Sequence, residues 1–292
     1  MRILLTNDDG IHAPGIEAMY RELVSPSQSG SESHEVMVVA PLTVQSATSH
    51  GITFHEPLMV QHEYVNAHMS GIAVDGRPAD CMKLALAELW PEKYGRGSMP
   101  DLVVSGMNAG ANVGINVLYS GTVAAALEAA FLGVPSIAVS MHLGKDEPDF
   151  ALGAARARIA IDAVLADGLP ERHECINVNV PRSLKRTLSR DDAIKAGIPS
   201  ATTETALPIR VCPMNTHGHV DRYEKRISPH GHSYYWASGN GFDFHETEPG
   251  SDVDEVIRGA ITVTPLRYDM AREDRMTAWR ERLIVISVPN SQ

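Results

Sequence analysis

Short apolar runs recur along the first 180 residues, each followed by a stretch with helical spacing, and this alternation most constrains the fold. Ile3-Leu4-Leu5, Val36-Met37-Val38-Val39-Ala40, Leu102-Val103-Val104, Ser136-Ile137-Ala138-Val139 and Cys175-Ile176-Asn177-Val178-Asn179-Val180 are nearly continuous in apolar character. That is the pattern of strands covered on both faces. Between them, residues 16–24, 78 to about 89, 120–132 and 151–165 carry helical patterns, and Pro78 suits a first helical turn. Strands separated by helices predict an α/β chain, a three-layer α/β/α, Rossmann-like and mostly parallel sheet. After about Pro181 the alternation stops. Ile209-Arg210-Val211 and Ile261-Thr262-Val263-Thr264 read as further strands, and a polar stretch holding Tyr223, Tyr234, Tyr235 and Trp236 reads as an extended β-hairpin. A terminal helix is expected at about 270–283. The expected organisation is one domain over 1–292, with a core of about 1–216 and 253–266 and an arm of about 218–252.

Composition removes several classes of function. A chain of 292 residues, 43% hydrophobic and 21% charged, has length and apolar content enough for a sizeable core. Its net charge of -11 argues against a broad nucleic-acid face and against a nucleic-acid duplex as partner. An anionic substrate would then need a metal or backbone amides. Cys81, Cys175 and Cys212 are far apart and odd in number, which points to reduced thiols in a cytoplasmic protein. The most apolar region, 123–141, is broken by Glu128, Gly133 and Pro135. It reads as a buried helix followed by a strand, with no membrane span of about 20 apolar residues. At the amino terminus, Met1-Arg2-Ile3-Leu4-Leu5 meets two aspartates too early for a signal-peptide core.

Chemistry concentrates in three segments. Asn7-Asp8-Asp9-Gly10 leaves the first strand at its carboxyl end, where ligands of open α/β sheets sit. Adjacent carboxylates repel unless a cation neutralises them, and hard ions such as Mg²⁺ or Mn²⁺ take such oxygens. The same tetrapeptide also suits a solvated turn. Ser105 to Gly114 leaves another core strand at the same sheet edge, with Asn108 and Asn112 as sources of neutral oxygens or amide donors. Ser120-Gly121-Thr122 opens an alanine-rich helix, whose free N–H groups suit an anion; Ser120 equally suits a helix N-cap. Neither Gly-x-Gly-x-x-Gly nor a Walker A loop is present in these segments.

Thr6-Asn7-Asp8-Asp9-Gly10-Ile11-His12-Ala13-Pro14-Gly15, Val104-Ser105-Gly106-Met107-Asn108-Ala109-Gly110 and Tyr119-Ser120-Gly121-Thr122-Val123-Ala124-Ala125-Ala126 together resemble the SurE family. The likeness is collinear from Met1 to Thr264-Pro265-Leu266. It implies a metal-dependent nucleotidase that hydrolyses nucleoside monophosphates at the 5' or 3' position, some members also cleaving short polyphosphate. It implies one divalent metal ion per subunit, Mg²⁺ or Mn²⁺, on Asp8, Asp9, Ser46 and Asn108, with Asp8 and Asp9 as the catalytic pair. The substrate phosphate would lie near Asn112, Ser120, Gly121 and Thr122. A homodimer or tetramer that exchanges carboxyl-terminal segments is implied as well.

The sequence departs from that pattern at two places. Where many relatives carry Asp-Arg-Asn before the metal serine, Pro41-Leu42-Thr43-Val44-Gln45-Ser46-Ala47 stands here, so a charged cluster is missing. Arg77 occupies an unusual place in Gly76-Arg77-Pro78-Ala79-Asp80-Cys81, where Asp80 reads as a hydrogen-bonding residue at a helix start. His12 and His50 are both candidates for protonating the leaving group. His217, His219, His230 and His232 lack a third ligand in register, so solvated loops suit them better than zinc. A phosphorylation-receiver module is excluded by length and by the Ser105 and Asn108 that follow the central strand. A non-catalytic nucleotide-binding or stress-interaction protein on the same fold is the alternative reading.

Overall fold

The computed structural model describes residues 1–26, 33–183, 207–238 and 242–284. Its centre is a parallel stack of strands β1 (Arg2–Thr6), β2 (Glu35–Pro41), β4 (Ser70–Asp75), β5 (Leu102–Ala109), β6 (Ser136–Met141) and β7 (Cys175–Val180). β3 (Met59–Tyr64), β8 (Ile209–Val211) and β11 (Ile261–Leu266) complete a nine-stranded sheet in the order β3-β4-β2-β1-β5-β6-β7-β11-β8. β3 runs antiparallel to β4, and β11 antiparallel to β7.

The period-two alternation of strand side chains builds the two cores. Ile3 and Leu5 face one side of β1 and join Ile16, Met19 and Leu23 of α1 (Pro14–Val24) with Ala154, Ala157 and Ile161 of α5 (Phe150–Val164). Leu4, one residue out of phase, joins the opposite core with Cys81 and Met82 of α2 (Pro78–Leu84) and Ala129 of α4 (Gly121–Phe131). Ile3, Leu4 and Leu5 are fully buried, which contributes about 1.5–3 kcal/mol for each such side chain. β1 pairs with β2 on one flank and β5 on the other, both in parallel. The strand order therefore reverses at β1, and a ligand crevice is expected outside its carboxyl end.

Three elements differ from the sequence expectation. β5 does not end at Val104 but continues to Ala109, with a register shift against β6 between Ser105 and Asn108. Gly106 permits this course: its φ is +137° and a Cβ there would lie 2.2 Å from the Val139 carbonyl oxygen. The helix from Pro78 passes through a π-turn at Ala85–Leu89 into α3 (Trp90–Tyr94), so part of the expected 92–99 loop is helical. The widened turn lets Pro91 follow without a clash in the preceding helix. A short helix, α6 (Asp252–Ile257), capped by Ser251, has no periodicity long enough to read.

The expected hairpin is present as β9 (Tyr223–Ile227) paired antiparallel with β10 (Ser233–Ala237), and every residue of both strands is exposed. The terminal helix is α7 (Glu273–Ile284), exposed from Glu273 to Leu283. Among the described residues, no helix is long and apolar enough to cross a membrane.

Candidate active site

Asp8 and Asp9 lie at the switch point, in a turn closed by Asn7, whose Nδ2 donates to the Gly10 carbonyl at 2.8 Å. Asp8 is 4% exposed. Its Oδ1 accepts from the Thr122 hydroxyl at 2.5 Å, and its carbonyl accepts from Gln45 N–H at 2.7 Å. Asp9 Oδ2 accepts from Ala109 N–H at 2.9 Å. The pair is thereby held by the start of α4, by the loop after β2 that carries Ser46, and by the end of β5 that carries Asn108. Asn108 Nδ2 donates to the Gly110 carbonyl at 2.6 Å, which commits its nitrogen and leaves its oxygen for a ligand. Ser46 lies exposed in a turn directly after Gln45.

Electrostatics set the pair apart. Burial pushes Asp8 up to about 6; the Thr122 hydrogen bond opposes the rise and the Asp9 charge adds to it. Burial likewise raises Asp9, against the Ala109 hydrogen bond. The hydrogen bonds of both carboxylates come from neutral donors, and Asn7 Oδ1 is buried without a partner. Hard oxygen donors of this kind fit Mg²⁺ or Mn²⁺. Among the described residues, no group of three His, Cys, Asp or Glu is arranged to hold a metal, so an ion here would need the neutral oxygens of Ser46 and Asn108.

The start of α4 is built differently from a free anion cradle. Ser120 Oγ accepts from Val123 N–H at 3.1 Å and serves as the N-cap. Thr122 is directed at Asp8, which places the positive end of the helix dipole beside the carboxylates. A Cβ on Gly121 would lie 2.8 Å from Asp8 Cβ and 3.0 Å from its Oδ2. Gly121→Ala should therefore shift Asp8 and lower turnover by about 10²-fold, the loss that a 1 Å misplacement can cause. A steady-state assay on folded variant checks this, and unchanged turnover would refute the contact.

Asn112 is held by amides that the sequence reading did not single out. Its N–H donates to Asn179 Oδ1 at 2.8 Å, its carbonyl accepts from Asn177 Nδ2 at 2.7 Å and Asn179 Nδ2 at 3.1 Å, and its Nδ2 donates to Ser140 Oγ at 2.8 Å. This buried cluster pins the glycine-rich loop to β6 and β7. The available signal was two asparagines at alternate positions of an otherwise apolar strand. Asp252 does similar work: its carboxylate accepts from Gly114 N–H and Asn215 N–H, each at 2.8 Å.

The other polar candidates separate clearly. Asp80 caps α2, accepting from Arg77 N–H at 3.0 Å and from both Thr53 N–H and Oγ1 at 2.8 Å. His50 Nε2 lies 2.8 Å from Glu128 Oε2, its ring stacks on Phe131, and Lys83 Nζ donates to Glu128 Oε1 at 3.1 Å. Burial alone would raise Glu128, but hydrogen bonds from His50 and Lys83 hold it below the usual carboxylate range. His12 instead lines a cavity of about 550 Å³ together with Asp9, Ala13, Pro14, Leu42, Val44 and Phe150. In the arm, His217 Nε2 is 3.3 Å from Glu248 Oε1 and His219 packs on Phe244.

Paired carboxylates and a helix start, meeting at the carboxyl edge of a sheet at its switch point, define an α/β protein with an oxygen-rich site. Over residues 3–204 the sequence matches the family model described as Survival protein SurE, and the chain belongs to the SurE family. It is 41% identical over 273 residues to the 5'-nucleotidase SurE of Syntrophobacter fumaroxidans, covering 92% of this chain and 94% of that protein. The 5'-nucleotidase SurE of Rhodopirellula baltica is 41% identical over 285 residues, covering 96% and 98%. The crystal structure of the SurE protein from Aquifex aeolicus superposes with a TM-score of 0.71 at 32% identity, covering 97% of this chain and 99% of that one.

Proposed function

We propose that the chain is a metal-dependent phosphomonoesterase that hydrolyses nucleoside 5'-monophosphates, and 3'-monophosphates as well, to nucleoside and phosphate. The observation that carries this reading is the Asp8–Asp9 pair at the switch point, Asp8 buried and Asp9 half-buried, without a cationic hydrogen-bond partner among the described residues; the names of the relatives supply the substrate class. Asp8, Asp9, Ser46 and Asn108 would hold one divalent ion, which supplies charge to the phosphoryl oxygens and lowers the pKa of bound water. The chain's own groups do the rest. Thr122 fixes Asp8, and the start of α4 at Ser120-Gly121-Thr122 offers the phosphate a positive dipole end. Asn112 holds the loop that faces it. A carboxylate oxygen of Asp9 orients the attacking water. The cavity beside Asp9, walled by Ala13, Pro14, Leu42, Val44 and Phe150, has the size of a small-molecule site, about 300–1,000 Å³, and takes the nucleoside.

Release of phosphate from adenosine 5'-monophosphate, with and without chelator, tests the proposal. Activity should vanish on chelation and return with Mn²⁺ or Mg²⁺ more than with Ca²⁺, since few ligands leave water positions open. Full activity after exhaustive chelation would sink the metal role. Nucleotide binding without phosphate release would favour the non-catalytic reading. The exposed hairpin and terminal helix support a homodimer with exchanged carboxyl-terminal segments, or a tetramer of such dimers. A cytoplasmic location fits three free, buried cysteines.

A further inference from the structure

Phosphate-ester hydrolysis needs a proton for the departing alcohol, because a nucleoside alkoxide is a poor leaving group. His12 and His50 stand in the loops that follow β1 and β2, and their surroundings differ. His50 has its Nε2 committed to buried Glu128 and its ring stacked on Phe131, and it does not line the cavity beside Asp9 among the described residues. His12 does line that cavity. The backbone on either side of it is pinned, by Ile11 N–H to the Pro41 carbonyl at 2.9 Å and by Ala13 N–H to the Gly10 carbonyl at 3.0 Å. Its Nε2 lies 3.1 Å from Glu63 Oε2, a carboxylate reaching over from β3. With Nε2 held by Glu63, Nδ1 is the nitrogen left for a substrate. The charged groups around the ring are then Glu63 on one side and Asp9 across the cavity.

We propose that His12, oriented by Glu63, is the catalytic acid that protonates the leaving oxygen of the ester. This rests on the phosphomonoesterase reading above and assigns the one role that reading leaves open. Water oxygen bonds to phosphorus, and its proton passes to the Asp9 carboxylate. The ester P–O bond breaks, its electron pair goes to the nucleoside oxygen, and that oxygen takes the proton from His12 Nδ1. Nucleoside and phosphate leave, Asp9 gives up its proton to solvent, and His12 regains one from solvent through its exposed edge. Glu63 keeps the ring in place and balances the charge of the imidazolium, a carboxylate–histidine arrangement in which the orienting residue does not itself touch substrate.

The test varies the leaving group. His12→Gln, at an exposed position that leaves the core untouched, is assayed on adenosine 5'-monophosphate and on 4-nitrophenyl phosphate, whose phenolate departs without a proton. Turnover of the nucleotide should fall on the order of 10²- to 10³-fold, within the range of general acid catalysis, while the aryl ester loses at most a few-fold. Glu63→Gln should show the same contrast at about one tenth of the size, with KM unchanged. Equal losses on both esters, or no loss on either, would overturn the acid role. Wild-type protein that cleaves neither ester would overturn the phosphomonoesterase reading itself, and the acid role with it. A second histidine variant, His50→Gln, should show no dependence on the leaving group; if the contrast appeared there and not at His12, the assignment would be wrong.

Discussion

Asp8→Asn is expected to lower nucleotide hydrolysis by at least about 10³-fold, the scale of losing a group that acts only on the transition state, and yet to raise the Tm of the metal-free protein. The reason is the position of the side chain. Burial lifts Asp8 from 3.8 to about 6, so the folded chain binds that proton more tightly than the unfolded chain does. The associated stability is fully present below about pH 4 and is lost as pH rises through about 6. By about pH 7.5 the ionised carboxylate costs the metal-free fold on the order of 3 kcal/mol. Asparagine can still accept from Thr122 and carries no charge to desolvate. Thermal unfolding at about pH 4 and about pH 7.5 checks both halves: the variant should gain several degrees at the higher pH and little at the lower. Added Mn²⁺ should then raise the Tm of the wild type by mass action and leave the variant unmoved. A variant less stable than wild type at both pH values would refute the cost assigned to the buried charge.

Local pattern was enough wherever one element's own residues decide its fate. Cys175–Val180 and Ile209–Val211 are strands with the bounds that their apolar runs mark. The aspartate pair was legible because two carboxylates beside a buried strand conflict locally with the apolar sequence around them. What was not legible depends on distant partners. Gly106 reads as a loop residue until β6 comes alongside and its Val139 carbonyl fills the space a Cβ would need. Thr122 reads as one more residue of a helix start until β1 delivers Asp8 to its hydroxyl. His12 and His50 are equivalent in the sequence, and only the strand order tells them apart. β3 brings Glu63 to the first, and α4 brings Glu128 to the second. Such pairings across 51 and 78 residues leave no periodic trace.

Removing the arm is expected to change the molecule's assembly more than its chemistry. Tyr223, Tyr235 and Trp236 are exposed by 64%, 60% and 60%, and Ile227 by 68%. A lone two-stranded hairpin is marginal in water, so β9 and β10 call for another surface. Magnitudes decide whether they suffice alone. A fully buried aromatic covers about 150–250 Å², and little more than half of each is free here, so the hairpin offers roughly 300–500 Å² per copy. A stable interface buries about 1,200–2,000 Å² in total, which two hairpins do not reach. In the proposed exchange of carboxyl-terminal segments, Met276, Trp279 and Leu283 of α7, exposed by 43%, 51% and 54%, would have to join the same contact. The hairpin can be excised cleanly, because its stem is already paired by Val220 N–H to the Asp243 carbonyl at 2.7 Å and His245 N–H to the Gly218 carbonyl at 2.9 Å. Chain with residues 221–241 replaced by a short glycine turn, which keeps Phe242 on His142 and the Val113–Val253–Val256 cluster, should run as monomer or aggregate in light scattering at micromolar concentration, where the full chain is expected to run as dimer or tetramer. Asp8, Asp9, Ser46 and Asn108 lie outside the excised stretch, so monomer that stays folded should keep its metal binding. A full-length chain that is monomeric under the same conditions would overturn the exchange and make the arm an appendage of its own subunit.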